Sequence, residues 1–202
     1  MIHGIINVYK EKGFTSHDVV AKLRGIVGQK KIGHTGTLDP DATGVLPVCL
    51  GKATKLCDLL TDKNKTYEAV LLLGKTTDTQ DITGEVLEEK STEALTEEKV
   101  REAIEGFIGD YEQIPPMYSA LKVNGKKLYE LAREGKVIER KARTVKILDI
   151  QILEIDLPKV RMEVSCSKGT YIRTLCHEIG EKLGCGGCME SLIRTRVSTF
   201  RI

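Results

Sequence analysis

Apolar residues recur along the chain with two periods. Val19, Val20, Leu23 and the Ile26/Val27 pair share one face of a helix predicted over residues 16–27, with Thr15 or Ser16 placed to cap its N-terminus. Residues 5–9 read as a strand, 45–50 as a short buried strand and 53–60 as a helix. Residues 33–44, with three glycines and a proline, read as a loop. Residues 66–73 alternate and then turn wholly apolar, which predicts a strand near the centre of a sheet, paired with residues 84–89. Thr96 is the predicted N-cap of a helix over residues 96–108, with Glu97 and Glu98 in the first turn, where the helix dipole favours acids. Pro115 and Pro116 hold residues 111–124 extended, and residues 127–134 form a short helix. Strands follow over 145–155 and 160–166, then a helix over 170–183 that buries Ile172, Leu175, Cys176 and Ile179. This irregular order predicts an α+β fold with one mixed sheet.

Composition narrows the picture. A chain of 202 residues, 41% hydrophobic and 30% charged, is one large or two small globular domains and excludes collagen or long disorder. No apolar run approaches the ~18 residues of a membrane span. Met1-Ile2-His3-Gly4 does not open a secretory signal, so the expected location is cytoplasmic and the six cysteines are expected to be reduced thiols. Cys185-Gly186-Gly187-Cys188 has the spacing of half a zinc site, but Cys176 and His177, adjacent on a helix, are poorly placed as the other half. A glycine turn between helix and strand is the plainer reading, and no metal is expected.

Net charge is only +2, yet its distribution is uneven. Residues 119–146 hold nine Lys/Arg against three Glu, while residues 63–99 hold five Lys against nine Asp/Glu. Residues 1–55 and 159–202 each hold eight Lys/Arg against four Asp/Glu. If the three basic segments converge, they make a surface for nucleic acid. Tyr118 and Tyr129, in the most basic segment, are either base-stacking rings or core tyrosines.

The segment Gly33-His34-Thr35-Gly36-Thr37-Leu38-Asp39-Pro40-Asp41-Ala42-Thr43-Gly44 concentrates the candidate chemistry. It reads either as a stiff loop presenting a carboxylate and an imidazole or as a helix start, with Asp39 as N-cap and Pro40 at the first position. Gly51-Lys52-Ala53-Thr54 ends like a phosphate loop, but Leu46 stands where its first glycine is required, which excludes a nucleotide triphosphatase. Arg173, at a predicted strand-to-helix junction, either lies in solvent or is buried and needs a carboxylate, for which Asp39 is a candidate.

Together these segments resemble the TruB family of tRNA pseudouridine synthases. The loop from Gly33 to Pro47 resembles the family's catalytic loop, and Lys65-Thr66-Tyr67-Glu68-Ala69 its tyrosine motif, followed by Thr77-Asp78-Thr79-Gln80-Asp81. Pro115-Pro116-Met117-Tyr118-Ser119-Ala120-Leu121-Lys122 resembles its thumb, and Ser165-Cys166-Ser167-Lys168-Gly169-Thr170-Tyr171-Ile172-Arg173 its arginine motif.

The resemblance implies the pseudouridine synthase fold over residues 1–202: a central mixed β-sheet flanked by helices, with an active-site cleft. It implies conversion of one uridine in the tRNA T loop, position 55 by convention, to pseudouridine, without cofactor or metal. Asp39 matches the catalytic aspartate, Tyr67 the tyrosine packed on the base and implicated in taking the C5 proton, and Arg173 the arginine paired with the aspartate. Tyr171 lines the pocket, His34 matches the flipping-loop histidine, Leu192 the apolar wall, and Thr37 sits in the same loop as a substrate contact. Lys10 and Gly13 match a motif that buttresses the site. The family usually has proline after that lysine, where this chain has Glu11, so a looser buttress is expected. A basic thumb at about 112–144 is expected to hold T-arm phosphates through Lys122, Lys126, Lys127, Arg140 and Arg143. The small C-terminal RNA-binding (PUA-like) domain of bacterial members is read as absent, so weaker tRNA binding is expected. The expected partner is tRNA alone, engaged by a monomer with no membrane and no required protein. Two other functions are open at this point: a non-catalytic tRNA-binding or folding protein on the same fold, and a guide-RNA-dependent relative.

Overall fold

In the computed structural model, which describes residues 1–202, thirteen strands and five α-helices follow in an irregular order. The first part of the chain runs β1 (Gly4–Lys10), α1 (Ser16–Val27), β2 (Ile32–His34), β3 (Thr43–Leu50), a 3₁₀ segment (Gly51–Leu56) and α2 (Cys57–Thr61). There follow β4 (Lys65–Leu73), β5 (Lys75–Thr77), β6 (Val86–Glu89), α3 (Glu97–Glu105), β7 (Gly109–Gln113), β8 (Lys122–Val123), β9 (Lys126–Lys127) and α4 (Leu128–Arg133). The chain ends with β10 (Arg143–Asp156), β11 (Lys159–Cys166), α5 (Ile172–Lys182), β12 (Gly187–Val197) and β13 (Phe200–Arg201). Nine strands form a mixed sheet with the main order β1-β3-β12-β4-β11-β10-β7, and β4 is near its centre, as its apolar run predicts. The fold is α+β. No helix is long and apolar enough to cross a membrane.

The chain forms two compact units. One holds residues 1–69, 163–168 and 191–202; the other holds 70–162 and 169–190. In the first unit, α1 begins with a capping box: the Thr15 hydroxyl accepts from Asp18 N–H and the Asp18 carboxylate accepts from Thr15 N–H. Val19 and Val20 bury against Ile32, Leu46, Val48 and Leu50, each worth roughly 1.5–3 kcal/mol if fully buried. β3 lies between antiparallel β1 and parallel β12, the latter in the register Ile193↔Thr43 and Arg194↔Gly44.

Gly44 is required there. Its φ is +111°, and a Cβ would lie 2.2 Å from the Arg194 carbonyl oxygen. Gly44→Ala is expected to cost roughly 3–5 kcal/mol, from backbone strain plus overpacking. A urea titration reads this directly; an unchanged midpoint would show that β3 can move off β12 without loss.

In the second unit, Thr96 caps α3, whose Val100, Ala103 and Ile104 are buried, and α3 packs on β10 and α5. Residues 84–89 depart from expectation. β6 pairs with β5 in a separate two-stranded sheet and is exposed along its whole length. Its two apolar residues are adjacent, so neither face can be buried as a central strand requires. Gly74, at φ +86°, turns the chain out of β4, held by its N–H to the Gly186 carbonyl at 2.9 Å. The helix expected over 53–60 begins instead as the 3₁₀ segment and turns α-helical only at Cys57. The turn after α5 falls at Leu183 and Gly184, while Gly187 and Cys188 already belong to β12, and all six cysteines are free thiols.

Candidate active site

The loop between β2 and β3 is anchored at several points along its backbone. Thr35 donates twice to the Pro47 carbonyl, from N–H and hydroxyl, both at 3.1 Å. Leu38 N–H donates to the Ser16 hydroxyl at 3.0 Å. The Pro40 carbonyl accepts from Gly13 N–H at 2.9 Å and from Lys10 Nζ at 3.2 Å. Ala42 N–H closes a β-turn onto the Asp39 carbonyl at 3.1 Å, so Asp39-Pro40 opens a turn and no helix follows. Asp39 is thus a half-buried carboxylate on a loop whose main chain is fixed on both sides. Thr37 is exposed near the loop's tip.

Lys10 is fully buried and donates to the carbonyls of Glu11, Phe14 and Pro40. Burial lowers its pKa, and the Asp39 and Asp41 carboxylates partly restore it. The ammonium therefore positions the loop; its donors are committed to main-chain oxygens. His34 is half-buried and meets His17 edge-on, with ring centroids 5.2 Å apart. Burial, then His17, lowers the His34 pKa from an ordinary value of 6.5, so its imidazole is neutral at pH 7.

Tyr67, on β4, is buried, and its phenol pairs with the Arg194 guanidinium. Burial pushes the phenol up to about 12, Arg194 pulls it down, and the Asp39 carboxylate adds to the rise. Arg194 is a residue that sequence reasoning misses. It is only 1% exposed and donates from Nε to the Val45 carbonyl at 2.8 Å and from Nη2 to the Gly36 carbonyl at 3.4 Å. One buried guanidinium thus joins β12, β3, the Asp39 loop and Tyr67. The available signal is strand parity: Arg194 is two residues from the half-buried Leu192 on β12, so both point to one side of the strand.

Lys65 is a second buried cation, bonded to the carbonyls of Thr61 and Lys63, both at 2.7 Å. Burial, with Arg194 adding repulsion, lowers its pKa from 10.5 to about 8. Since the unfolded chain holds this proton more tightly, wild-type stability should rise between about pH 8 and 10.5 as the folded state escapes its buried charge. Relative to Lys65→Met, which cannot titrate, wild type is expected to gain about 2 kcal/mol over that window. Urea midpoints of both proteins across the range check this, and parallel curves would refute it.

In the second unit, Tyr171 precedes α5 and is held by Gln113, which accepts from Tyr171 N–H at 2.8 Å and donates to its carbonyl at 3.0 Å. Arg173 is buried and lies 3.6 Å from the Asp81 carboxylate, so the solvent-exposed alternative fails. Asp81 is steadied by Thr79 Oγ1 and Thr83 N–H, each at 2.9 Å, and Thr174 donates to Gln80 at 2.7 Å. The segment 77–83 therefore braces the first turn of α5, a role its sequence does not announce.

The thumb candidates divide. Lys122, Lys126 and Arg143 are exposed. Lys127 lies over the Tyr129 ring, 5.3 Å from its centroid, and Arg133 lies over the ring at the same distance. Arg140 instead turns inward, donating to the carbonyls of Ile138 at 3.2 Å and Pro115 at 3.1 Å. It ties the segment together and has less to offer a phosphate.

The chain matches the family model described as TruB family pseudouridylate synthase (N-terminal domain) over residues 24–172. The model for the tRNA pseudouridylate synthase B C-terminal domain matches residues 173–202, which here form α5, β12 and β13. A protein named tRNA pseudouridine synthase B from Lachnoclostridium phytofermentans is 68% identical over 209 residues, covering 100% of this chain and 68% of that one. One of the same name from Alkaliphilus oremlandii is 56% identical, covering 100% of this chain and 67% of its own. Among solved structures, a chain of a Cbf5-Nop10-Gar1 complex superposes with a TM-score of 0.77 at 37% identity, covering 98% of this chain and 50% of that one.

Proposed function

The chain belongs to the TruB family of pseudouridine synthases, and from that premise we propose that it isomerises one uridine in the T loop of tRNA, position 55 by convention. The observation that carries this reading is Asp39, a carboxylate on a backbone-anchored loop in the same unit as the buried Tyr67–Arg194 pair. The reaction breaks N1–C1′, forms C5–C1′, removes a proton from C5 and returns one to N1. Nothing is oxidised and no atom is added, so the chemistry asks for no cofactor.

A target base must leave its stack to be turned in this way, and it needs a ring to rest on. Tyr67 supplies that ring. A phenol held up to about 12 is a poor base at neutral pH, so we assign Tyr67 to packing and give the C5 proton to another acceptor. Asp39 supplies an anion at the sugar or at C6, whichever atom it engages. Arg173, Tyr171, His34, Thr37 and Leu192 take the roles that the family resemblance gives them. The thumb supplies backbone contacts through Lys122, Lys126, Lys127 and Arg143. The enzyme acts as a cytoplasmic monomer without a protein partner or guide.

The test is tritium release from a T-arm stem-loop labelled at C5 of its uridines, with purified protein and no other RNA. One tritium released per RNA is the expected result. Binding without release would favour an RNA-binding or folding protein. Release only when a guide strand is added would place the chain with guide-dependent enzymes.

A further inference from the structure

A cavity of about 540 Å³ opens beside β2, and Arg24, Lys30, Lys31, His17 and His34 contribute to its wall. Its remaining lining includes Val20 and Ile32, and no Asp or Glu takes part. Arg24 stands on the last turn of α1 and donates from Nε to the Lys30 carbonyl at 3.1 Å, which uses one of five guanidinium donors and orients the rest. The Lys31 carbonyl accepts from Gly51 N–H at 2.8 Å and from Gln29 Nε2 at 3.4 Å. Ile32 is then locked to Leu50 by the β2–β3 ladder. The three cations therefore stand on a fixed main chain around a concave surface that supplies no counter-charge.

Such an arrangement asks for an anion from outside. The same stretch of backbone runs directly into the Asp39 loop, and the five steps along the chain from His34 to Asp39 span at most ~18 Å. We propose that Arg24, Lys30 and Lys31 hold backbone phosphates of the substrate RNA next to the target uridine, as a second anion site apart from the thumb. This rests on the proposed function and adds a place where the RNA strand is held beside the chemistry.

The experiment is equilibrium binding of end-labelled T-arm RNA by filter retention at several salt concentrations, which does not depend on turnover. The variant R24Q/K30Q/K31Q, and each single substitution, is compared with wild type and with K90Q/K99Q/K159Q, which loses equal charge in the other unit. The triple variant is expected to bind on the order of tenfold more weakly, and its salt slope to fall by about 0.7 for each phosphate it no longer neutralises. The charge-matched control should keep both values. Replacing chloride with inorganic phosphate at constant ionic strength should weaken wild-type binding more than that of the triple variant. Equal losses in variant and control would overturn the site, and so would an unchanged slope. Phosphate bound at the cavity without effect on RNA affinity would give the cavity to a free anion and also overturn the proposal. If wild type binds RNA in this way but releases no tritium, the isomerase reading fails while the anion site stands.

Discussion

Asp39→Asn is expected to bind T-arm RNA within a few-fold of wild type yet lose at least ~10³-fold in tritium release. The two side chains are nearly the same size, and the bonds that hold the loop at Thr35, Gly36, Leu38, Pro40 and the Asp39 carbonyl do not use the Asp39 carboxylate. Folding should therefore survive. What disappears is the negative charge and the electron pair that a carboxylate brings to the sugar or the ring. Asp39→Glu keeps the charge but displaces it by about one methylene, and misplacement on the scale of 1 Å can cost ~10²-fold in rate. The order wild type, Glu, Asn would identify both charge and position as essential. An Asn variant with more than a tenth of wild-type activity would end the catalytic assignment of Asp39.

Arg194→Lys is expected to lower kcat on the order of 10²-fold while changing stability far less. A lysine keeps the charge, but a single ammonium cannot reproduce a planar fork that meets Val45, Gly36 and Tyr67 in different directions. Arg194→Met sharpens the comparison. It strands carbonyls that each cost about 1–3 kcal/mol when left unpaired, but it also removes a buried charge whose desolvation costs several kcal/mol. These terms oppose, so the Met variant should unfold within about 2 kcal/mol of wild type. Its activity should still fall, because Gly36 and Tyr67 lose their common anchor. Measuring melting and single-turnover rate on the same preparations separates the two effects. A variant that loses both in proportion would make Arg194 structural only.

Features encoded by neighbours in sequence are readable in advance. The Thr15 cap and the Val19/Val20 face specify α1 within one turn of chain, and the apolar half of β4 marks it as interior. Pairing over distance is harder. Residues 84–89 carry strand-like residues, yet the Gly74 turn and the flanking glutamates send them to β5. Arg194 reads as a basic terminal residue because its acceptors lie far back in the chain, one of them 149 residues away. Asp39, Tyr67 and His34 are legible through motif resemblance. Their physical setting is not: a neutral imidazole and a phenol near 12 follow from burial, which no local pattern states. Arg140 shows another limit, since its place in a basic segment does not reveal that two of its donors go to the Ile138 and Pro115 carbonyls.

The contact between Lys10 and the Asp39 loop is made to peptide oxygens, which every amino acid possesses. Residue 11 enters this contact only through its carbonyl, which proline and glutamate both supply. Glu11, which differs from the usual family proline, still offers its carbonyl to the ammonium at 3.1 Å. In a saturation library scored for growth or turnover, position 10 should accept almost nothing. Position 11 should accept both glutamate and proline, because the ammonium is met by a peptide oxygen that each of them keeps.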